Sequence, residues 1–381
     1  MKTLVIGGGM AGLTYAIVAL KNGINVTIAE RNSRVGKKIA MTGNGKCNVG
    51  NANVNATCFN DSQIAKNVLA EISVSEYLQF LNSCGVFTHT DDLGRMYPLC
   101  ESASNVVDCL RHQFAKNGGK LLTDVNVKTV AMQNGKYLFD GILYDKLVLA
   151  CGSGSQAPQP TLPLVKPEWC TKTFPSLVPV RVAKMDGALN GIRAKCNVTL
   201  LADNVPVAAE SGEVLFKDYG LSGICIFNLS AIIARNFVKG KSHNYTFSVD
   251  LVPTFTFDQL WQIVSKREAE GEKDKLFYGI LHNKLAESIA KRAKSAYEQC
   301  KLAKNFTFTF EKLLDFTMSQ ATAGGIDERF VDTALTLPNG VVALGEMLNV
   351  DGICGGNNLY FASASALYTF DKSDRQKAYN S

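Results

Sequence analysis

Residues 3–30 read TLVIGGGMAGLTYAIVALKNGINVTIAE, and this stretch constrains the fold more tightly than any other. An apolar run, Leu4-Val5-Ile6, meets glycines at Gly7, Gly9 and Gly12. An Ala-rich segment to Leu20, a Lys21-Asn22-Gly23 stop and a second apolar run ending in Glu30 follow. Strand, G-x-G-x-x-G turn, helix, strand and acid, in that order, is the pattern of a βαβ unit that binds a dinucleotide.

Each part of the pattern has a physical task. Gly7 makes the tight turn, Gly9 presents no Cβ to a pyrophosphate, and Gly12 lets the helix pack closely on the strand. Ala11 lies in the same turn and joins them as a candidate contact. The first N–H groups of the helix offer about half a positive charge to the phosphates. Glu30 can accept both hydrogen bonds of an adenosine ribose, which favours a free 2′-hydroxyl. The same run could pass for an export signal, but its glycines interrupt the apolar core and no small-residue cleavage site is evident.

Composition narrows the class. The chain has 381 residues, 46% hydrophobic and 19% charged, which is ordinary for a globular protein of two or three domains. No apolar run is long enough to span a bilayer, so no membrane association is expected, and without an export signal the cytoplasm is the expected location. The eleven cysteines are scattered with no C-x-x-C, and His89, His112, His243 and His282 share no ligand spacing. Reduced, mostly buried thiols and no metal site are therefore expected. A net charge of +6, spread along the chain, gives little reason to expect a nucleic-acid partner.

After Glu30 the chain runs from Arg31 to Asn51 through a segment rich in Gly, Asn, Lys and Arg, which reads as a long loop against the cofactor. Within it, Gly36-Lys37-Lys38 and Thr42-Gly43-Asn44-Gly45-Lys46-Cys47-Asn48 form a GKK-x-x-x-TGNGKCN stretch. This resembles the signature of the HI0933-like flavoproteins, a bacterial FAD family that includes aminoacetone oxidases and bile-acid dehydro-reductases. The resemblance implies that the residues of this stretch, Gly36–Lys38 and Thr42–Asn48, wrap the pyrophosphate of FAD and approach its isoalloxazine ring, with Arg31, Lys37, Lys38, Thr42, Gly43 and Asn44 as its cofactor contacts. Glu30 alone would allow NAD or FAD. The basic loop together with a distal Gly345-Glu346 favours FAD, a long cofactor threaded through two parts of the chain.

Further blocks carry the same resemblance. Residues 61–84 have helical spacing, and Gly85 to Pro98 reads as a hairpin whose Gly94-Arg95-Met96-Tyr97-Pro98 is similar to a family stretch preceding a helix, here Ser102 to Asn117. Strand-like runs follow at Leu121–Thr123, Val125–Met132 and Tyr137–Phe139, with Val127 implied at the adenine. Leu147 to Gly152 reads as a buried strand that returns to the FAD at Gly152. Relatives continue into a GSTGDG-type turn and helix, whereas this chain has Gln156-Ala157-Pro158-Gln159-Pro160. Ala321 to Ile326 resembles the family's T-x-GG segment. Residues 345–359 match GE-x-LDVDG-x-x-GGYNL at Gly345, Glu346, Asp351, Gly352, Gly355, Gly356, Asn358 and Leu359, with Asn349 for the first Asp and Asn357 for Tyr. A helix starting at Gly355-Gly356 would point its positive end at the flavin N1/O2 edge.

The expected fold class is α/β: a Rossmann-like FAD-binding domain of the two-dinucleotide-domain flavoprotein type, with an inserted β-barrel and a small helical subdomain. Residues 1–180 and 317–381 form the FAD-binding domain, 181–254 the barrel and 255–316 the helical part. Strand composition appears at Val198–Leu201, Val205–Ala208, Gly212–Phe216 and Tyr245–Asp250. The basic stripe Lys284, Lys291, Arg292, Lys294, Lys301 and Lys304 reads as a solvated helix face. The resemblance implies an FAD-dependent oxidoreductase acting on a small molecule. Either NAD(P)H-derived hydride passes through flavin N5 to an activated C=C bond, or oxidised flavin takes hydride from an amine and passes the electrons to oxygen. An RNA-associated flavin-binding protein is the third alternative. Arg95, Tyr97 and Cys47 are the candidates for the substrate face.

Overall fold

The computed structural model describes residues 1–153, 163–272 and 275–380, with the backbone alone at Asn44. The chain divides into two compact units, Met1–Phe174 with Ala321–Ser381, and Pro175–Gln320. The expected absence of a GSTGDG-type helix at Gln156–Pro160 lies outside the described residues.

In the first unit, strand β1 (Lys2–Ile6), helix α1 (Met10–Lys21) and strand β2 (Asn25–Ala29) form the βαβ unit. Strand β3 (Gly50–Asn51), helices α3 (Gln63–Glu71) and α4 (Val74–Ser83), strands β4 (Thr88–Thr90) and β5 (Arg95–Pro98), and helix α5 (Ala103–Lys116) follow; the short turn Lys37–Ala40 is α2. Strands β6 (Lys120–Leu122), β7 (Ala131–Gln133), β8 (Lys136–Phe139), β9 (Ile142–Tyr144) and β10 (Lys146–Leu149) complete this segment.

A parallel sheet runs in the order Val342–Ala343, β10, β1, β2, β6. Its central strand β1 is covered on both faces, which is why Leu4, Val5 and Ile6 read as a continuous apolar run and not an alternation. Helix α1 is buried from Met10 to Ala19 and packs against α5 and the Asn357–Tyr368 helix. Such a helix needs apolar residues all round, and small ones where backbones approach. The smaller sheet β3-β5-β4 and the meander β7-β8-β9 are antiparallel.

The 61–84 segment is two helices, because Ser73 caps α4 through its hydroxyl and breaks the ladder. The expected strand Val125–Met132 is reduced to Ala131–Gln133. Val125 N–H bonds the Glu30 carbonyl at 2.9 Å, which carries the chain past the end of β2 and away from a ladder.

The second unit holds a closed six-stranded barrel of Val180–Val182, Gly220–Ser222, Val205–Lys217, Arg193–Ala202, Tyr245–Asp250 and Phe306–Leu313. Val205–Ala208 and Gly212–Phe216 belong to one strand, since Ala209, Glu210 and Ser211 keep their pairing with Thr199, Val198 and Asn197. Phe216, Phe247, Phe306 and Phe308 fill its interior. Helices Phe257–Ala269, Asn283–Arg292 and Ala296–Lys304 supply the helical part. In the basic stripe, Lys304 is paired with Asp250 at 2.6 Å and Arg292 lies over the Phe306 ring. No described helix is long and apolar enough to cross a membrane.

The last helix, Lys372–Asn380, is docked by a buried cation. Arg375 is 1% exposed, with Nε 2.6 Å from Glu76 and Nη1 2.8 Å from Glu71. Its Nη1 also donates to the Phe370 carbonyl. Arg375→Ala leaves the half-hidden Glu76 carboxylate unpaired and should cost about 3–5 kcal/mol. Urea unfolding reads this directly, and Arg375→Ala with Glu76→Gln should lose less than Arg375→Ala alone; an unchanged midpoint for the single variant refutes the role.

Candidate cofactor site

The turn between β1 and α1 separates the three glycines by task. At Gly7 (φ +106°) a Cβ would lie 2.3 Å from the Ala150 oxygen, and at Gly12 it would lie 2.0 Å from the Gly7 oxygen. Both glycines are demanded by backbone packing. At Gly9 nothing lies within 4 Å of where a Cβ would be. The space beside Gly9 is open to a ligand, and Gly9 is also the N-cap of α1. No side chain caps that helix and no acid lies in its first turn. Helices α3, α4 and α5 are each capped by a serine, Ser62, Ser73 and Ser102. Among the described residues no side chain takes the N–H groups at Met10 and Ala11, which are thus open to a ligand.

Glu30 stands at the end of β2 and is 7% exposed. Its Oε2 accepts the Gly8 N–H at 2.8 Å, and its Oε1 accepts the backbone and side-chain N–H groups of Asn32 at 2.9 and 2.5 Å. Carboxylate oxygens carry further lone pairs, so the group is oriented by the turn without being exhausted. Arg31 lies close enough for its charge to act on the Cys151 thiol, which burial pushes up to about 12. Val127 is buried in the segment that passes Glu30.

The two lysines of the loop diverge. Lys37 is exposed, whereas Lys38 Nζ lies 2.5 Å from Glu346 Oε2. Glu346 Oε1 accepts the Thr322 N–H at 2.9 Å, and the Thr322 hydroxyl meets Ser153 at 2.9 Å. Gly345 (φ +65°) brings this turn to α1, where a Cβ on it would sit 3.3 Å from the Ala11 Cβ. Gly152 (φ +67°) faces open space, with nothing within 4 Å of a Cβ.

Another long uncapped helix of the first unit follows. Gly355 (φ +114°) and Gly356 (φ +95°) lead into Asn357–Tyr368, which has no side-chain cap and no acid in its first turn. Gly356 is required because a Cβ there would lie 2.3 Å from the Gly50 oxygen. The Asn358 amide holds Gly352 through both its backbone groups at 2.8 Å, so Asn358 shapes the turn. Asn357, at the position of the family's Tyr, donates to the carbonyls of Ile353 and Cys354 at 3.1 and 3.3 Å. Asn349, in place of an Asp, receives Asn60 on its carbonyl at 2.9 Å. Asp351 is fully buried, and Leu359 is half-buried.

The Thr42–Asn48 loop joins these parts to the β3-β5-β4 sheet. Thr42 Oγ1 donates to the Ile39 carbonyl, and a Cβ on Gly43 would touch Asn48 N at 2.9 Å and the Tyr97 ring at 3.6 Å. Asn44 lies in the same turn; its side chain is outside the described residues. Tyr97 stacks on His89 with centroids 6.0 Å apart. Arg95 lies over Tyr97 and is held by Asp91, with N–O distances of 2.8 and 2.7 Å. Cys47 has 0% exposure and burial pushes its thiol up to about 11. That environment suits packing under the loop better than nucleophilic chemistry.

Two residues, Asn51 and Thr322, are given no role by the sequence reading, and a third, Asn48, is placed only as part of the loop. Asn51 Nδ2 donates to the Gly355 carbonyl at 3.0 Å, Thr322 orients Glu346, and Asn48 keeps a buried Oδ1 with no hydrogen-bond partner among the described residues. Asn48 and Thr322 lie inside quoted motifs, so the signal was present; Asn51 is recognised only once β3 pairs with β5.

FAD fits this arrangement: an open, uncapped helix start at Gly9 for the pyrophosphate, an oriented acid at Glu30 for the ribose, and a second uncapped helix start at Gly356. Gly9→Ala should fold normally and release FAD at least about tenfold more readily, as read by flavin fluorescence on dilution. Gly12→Ala, by contrast, should fail to accumulate as folded protein; equal behaviour of the two variants refutes the division. Native protein treated with iodoacetamide at pH 8 should leave Cys47 unlabelled, since a thiol of pKa about 11 is about 0.1% thiolate there. Prompt labelling of Cys47 by mass spectrometry would contradict its burial.

The HI0933-like protein Rossmann domain family matches residues 1–370. A 3-dehydro-bile acid delta(4,6)-reductase of Clostridium scindens is 30% identical over 95% of this chain and 96% of its own. A ribosomal RNA dihydrouridine synthase of Haemophilus influenzae is 24% identical, covering 96% of each chain. Among solved structures, 3-ketosteroid delta1-dehydrogenase of Sterolibacterium denitrificans is similar at TM-score 0.47 and 11% identity, over 100% of this chain and 99% of that one. With the βαβ turn, the oriented acid and the two open helix starts in place, the chain belongs to the HI0933-like family and is an FAD-dependent oxidoreductase of Rossmann-type α/β fold.

Proposed function

We propose that the protein reduces a carbon–carbon double bond conjugated to a carbonyl in a small organic molecule, with NAD(P)H as electron source. The carrying observation is the full-length similarity to a reductase named for the Δ4 and Δ6 bonds of a 3-oxo (3-dehydro) bile acid. The dihydrouridine synthase supports the same chemistry, since dihydrouridine is uridine whose C5–C6 double bond, conjugated to a carbonyl, has been reduced.

FAD, when bound, supplies a hydride donor at N5. The protein's part is to hold the cofactor, orient the substrate and deliver a proton to the carbon next to the carbonyl. Met10, Ala11 and Glu30 would hold the adenosine diphosphate, and the start of the Asn357–Tyr368 helix would favour negative charge at the other end. Tyr97, stacked on His89 and packed on Gly43, is the candidate proton donor. Arg95, fixed by Asp91, is a candidate for the carbonyl or an acidic group of the substrate. With Cys47 buried, no thiol step is invoked.

Anaerobic mixing with NADH or NADPH should bleach the flavin, and a 4-en-3-one steroid should restore its colour with stoichiometric saturated product. Tyr97→Phe should lower that second step about 10²-fold while leaving flavin content unchanged. Bleaching by amines, with peroxide formed in air, would establish the oxidase reading in its place. Turnover confined to uridine in ribosomal RNA would transfer the same bond chemistry to a nucleic-acid substrate.

A further inference from the structure

Outside the cofactor site, one pair of nucleophiles shares a single acceptor. Cys100 Sγ lies 3.5 Å and Cys109 Sγ 3.7 Å from the same oxygen, Asn105 Oδ1. The sum of those distances bounds the separation of the sulfurs, and the two thiols share this amide oxygen as an acceptor. The arrangement follows from local structure. Cys109 is four residues beyond Asn105 on α5, so both occupy one helix face. Cys100 lies two residues before the Ser102 N-cap, where the chain turns through Glu101 at φ +45°. Their other hydrogen-bond partners among the described residues are backbone carbonyls, Ser102 for Cys100 and Gly85 for Cys109.

Exposure of Cys100 together with a neighbouring thiol sets this pair apart; Cys58, Cys151, Cys170 and Cys354 are half-buried as Cys109 is. Among the described cysteines Cys100 alone is exposed, and Cys109 is half-buried. Cys47, Cys84, Cys196, Cys225 and Cys300 are all buried. Cys84 lies near Cys109 and Cys47 near Cys100, close enough for mutual charge effects, but burial pushes those thiols up to about 12 and about 11. Lack of access disfavours them as competitors; burial raises the Cys109 thiol as well, which leaves Cys100 as the thiol that meets peroxide first.

We propose that Cys100 and Cys109 form a peroxide-sensitive dithiol that closes reversibly to a disulfide. The Cys100 thiolate attacks one oxygen of hydrogen peroxide, giving sulfenic acid and, with the thiol's proton, one water. Cys109 sulfur then attacks the Cys100 sulfur; the S–S bond forms, the S–O bond breaks, and the hydroxyl leaves with the Cys109 proton as a second water. Two thiols are oxidised by two electrons and one peroxide is reduced to two waters. A bond of about 2.05 Å requires both side chains to leave Asn105 and turn towards each other. The irregular 99–102 segment can follow Cys100, whereas Cys109 is fixed on its helix. Glu101, next to Cys100, holds Lys46 at 2.7 Å, so the bond forms at the foot of the Thr42–Asn48 loop.

The test uses the flavin-loaded protein, reduced and then freed of reductant, and titrated with hydrogen peroxide. Free thiols are alkylated and the digest is mapped by mass spectrometry, with and without dithiothreitol. The expected result is a Cys100–Cys109 cross-linked peptide that dithiothreitol abolishes. In Cys109→Ser, a near-isosteric change at a half-buried position, Cys100 should reach sulfinic acid at least about tenfold more than in the parent, having lost its resolving partner. Sulfinic acid at Cys100 in the parent without cross-linking overturns the proposal. So does a cross-link from Cys100 to Cys47, or from Cys109 to Cys84. Diamide, a thiol oxidant that bypasses sulfenic acid, checks geometry separately: no Cys100–Cys109 bond under diamide means the sulfurs do not reach each other.

Discussion

Backbone approaching backbone, closer than any side chain permits, holds the first unit together. Gly7 lies against Ala150, Gly12 against Gly7, and Gly356 against Gly50, each with a hypothetical Cβ inside 2.4 Å of a carbonyl oxygen. The first two contacts seat α1 on β1 and β10; the third seats the Asn357–Tyr368 helix on β3. Because these contacts admit no lateral adjustment, both helix starts are placed by packing before any ligand arrives. Pre-organisation of this kind lets binding free energy go to the cofactor and not to ordering the loop.

The same contacts explain how distant parts of the chain reach one site. Lys38 and Glu346 are 308 residues apart in sequence yet form an ion pair at 2.5 Å. Glu346 is fixed from its other oxygen by Thr322, which belongs to neither the first βαβ unit nor the 345–359 block. A carboxylate held from two sides loses little further entropy when a ligand arrives. The pairing also cancels charge, so neither a bare lysine nor a bare glutamate is left to dominate the local field.

Much of this was legible because backbone geometry writes itself into residue type. Glycines that must turn or pack, the acid after β2 and the apolar run of a two-face-covered strand have few substitutes, so Thr3–Glu30 and Gly345–Leu359 read clearly. What stayed hidden depends on partners far away in sequence. That Lys38 and not Lys37 turns to Glu346 depends on the left-handed Gly36 before them, not on composition. Val125–Val130 has strand residues but no strand, because Glu30 takes its first N–H. Asn51 carries no motif signal, since its task exists only after β3 meets β5.

Charge placement gives the clearest link from this fold to its chemistry. A helix start carries about half a positive charge, and a serine cap or a first-turn acid offsets it. The surface helices α3, α4 and α5 have such caps, while α1 and the Asn357–Tyr368 helix have neither cap nor acid. The Ile224–Val238 helix of the second unit is likewise uncapped, but within the first unit negative charge is favoured at both of these long-helix starts. One suits the diphosphate, whose charge is permanent. The other lies at the Gly355–Gly356 turn, where, on the proposed reading, the favoured charge would be one that develops when electrons are taken up. A site that stabilises the electron-rich form of its cofactor accepts electrons readily from a strong hydride donor such as a nicotinamide. In the function proposed above it would return them only to an acceptor that is itself activated, and a double bond conjugated to a carbonyl would meet that requirement, because the carbonyl oxygen takes up the charge that hydride brings.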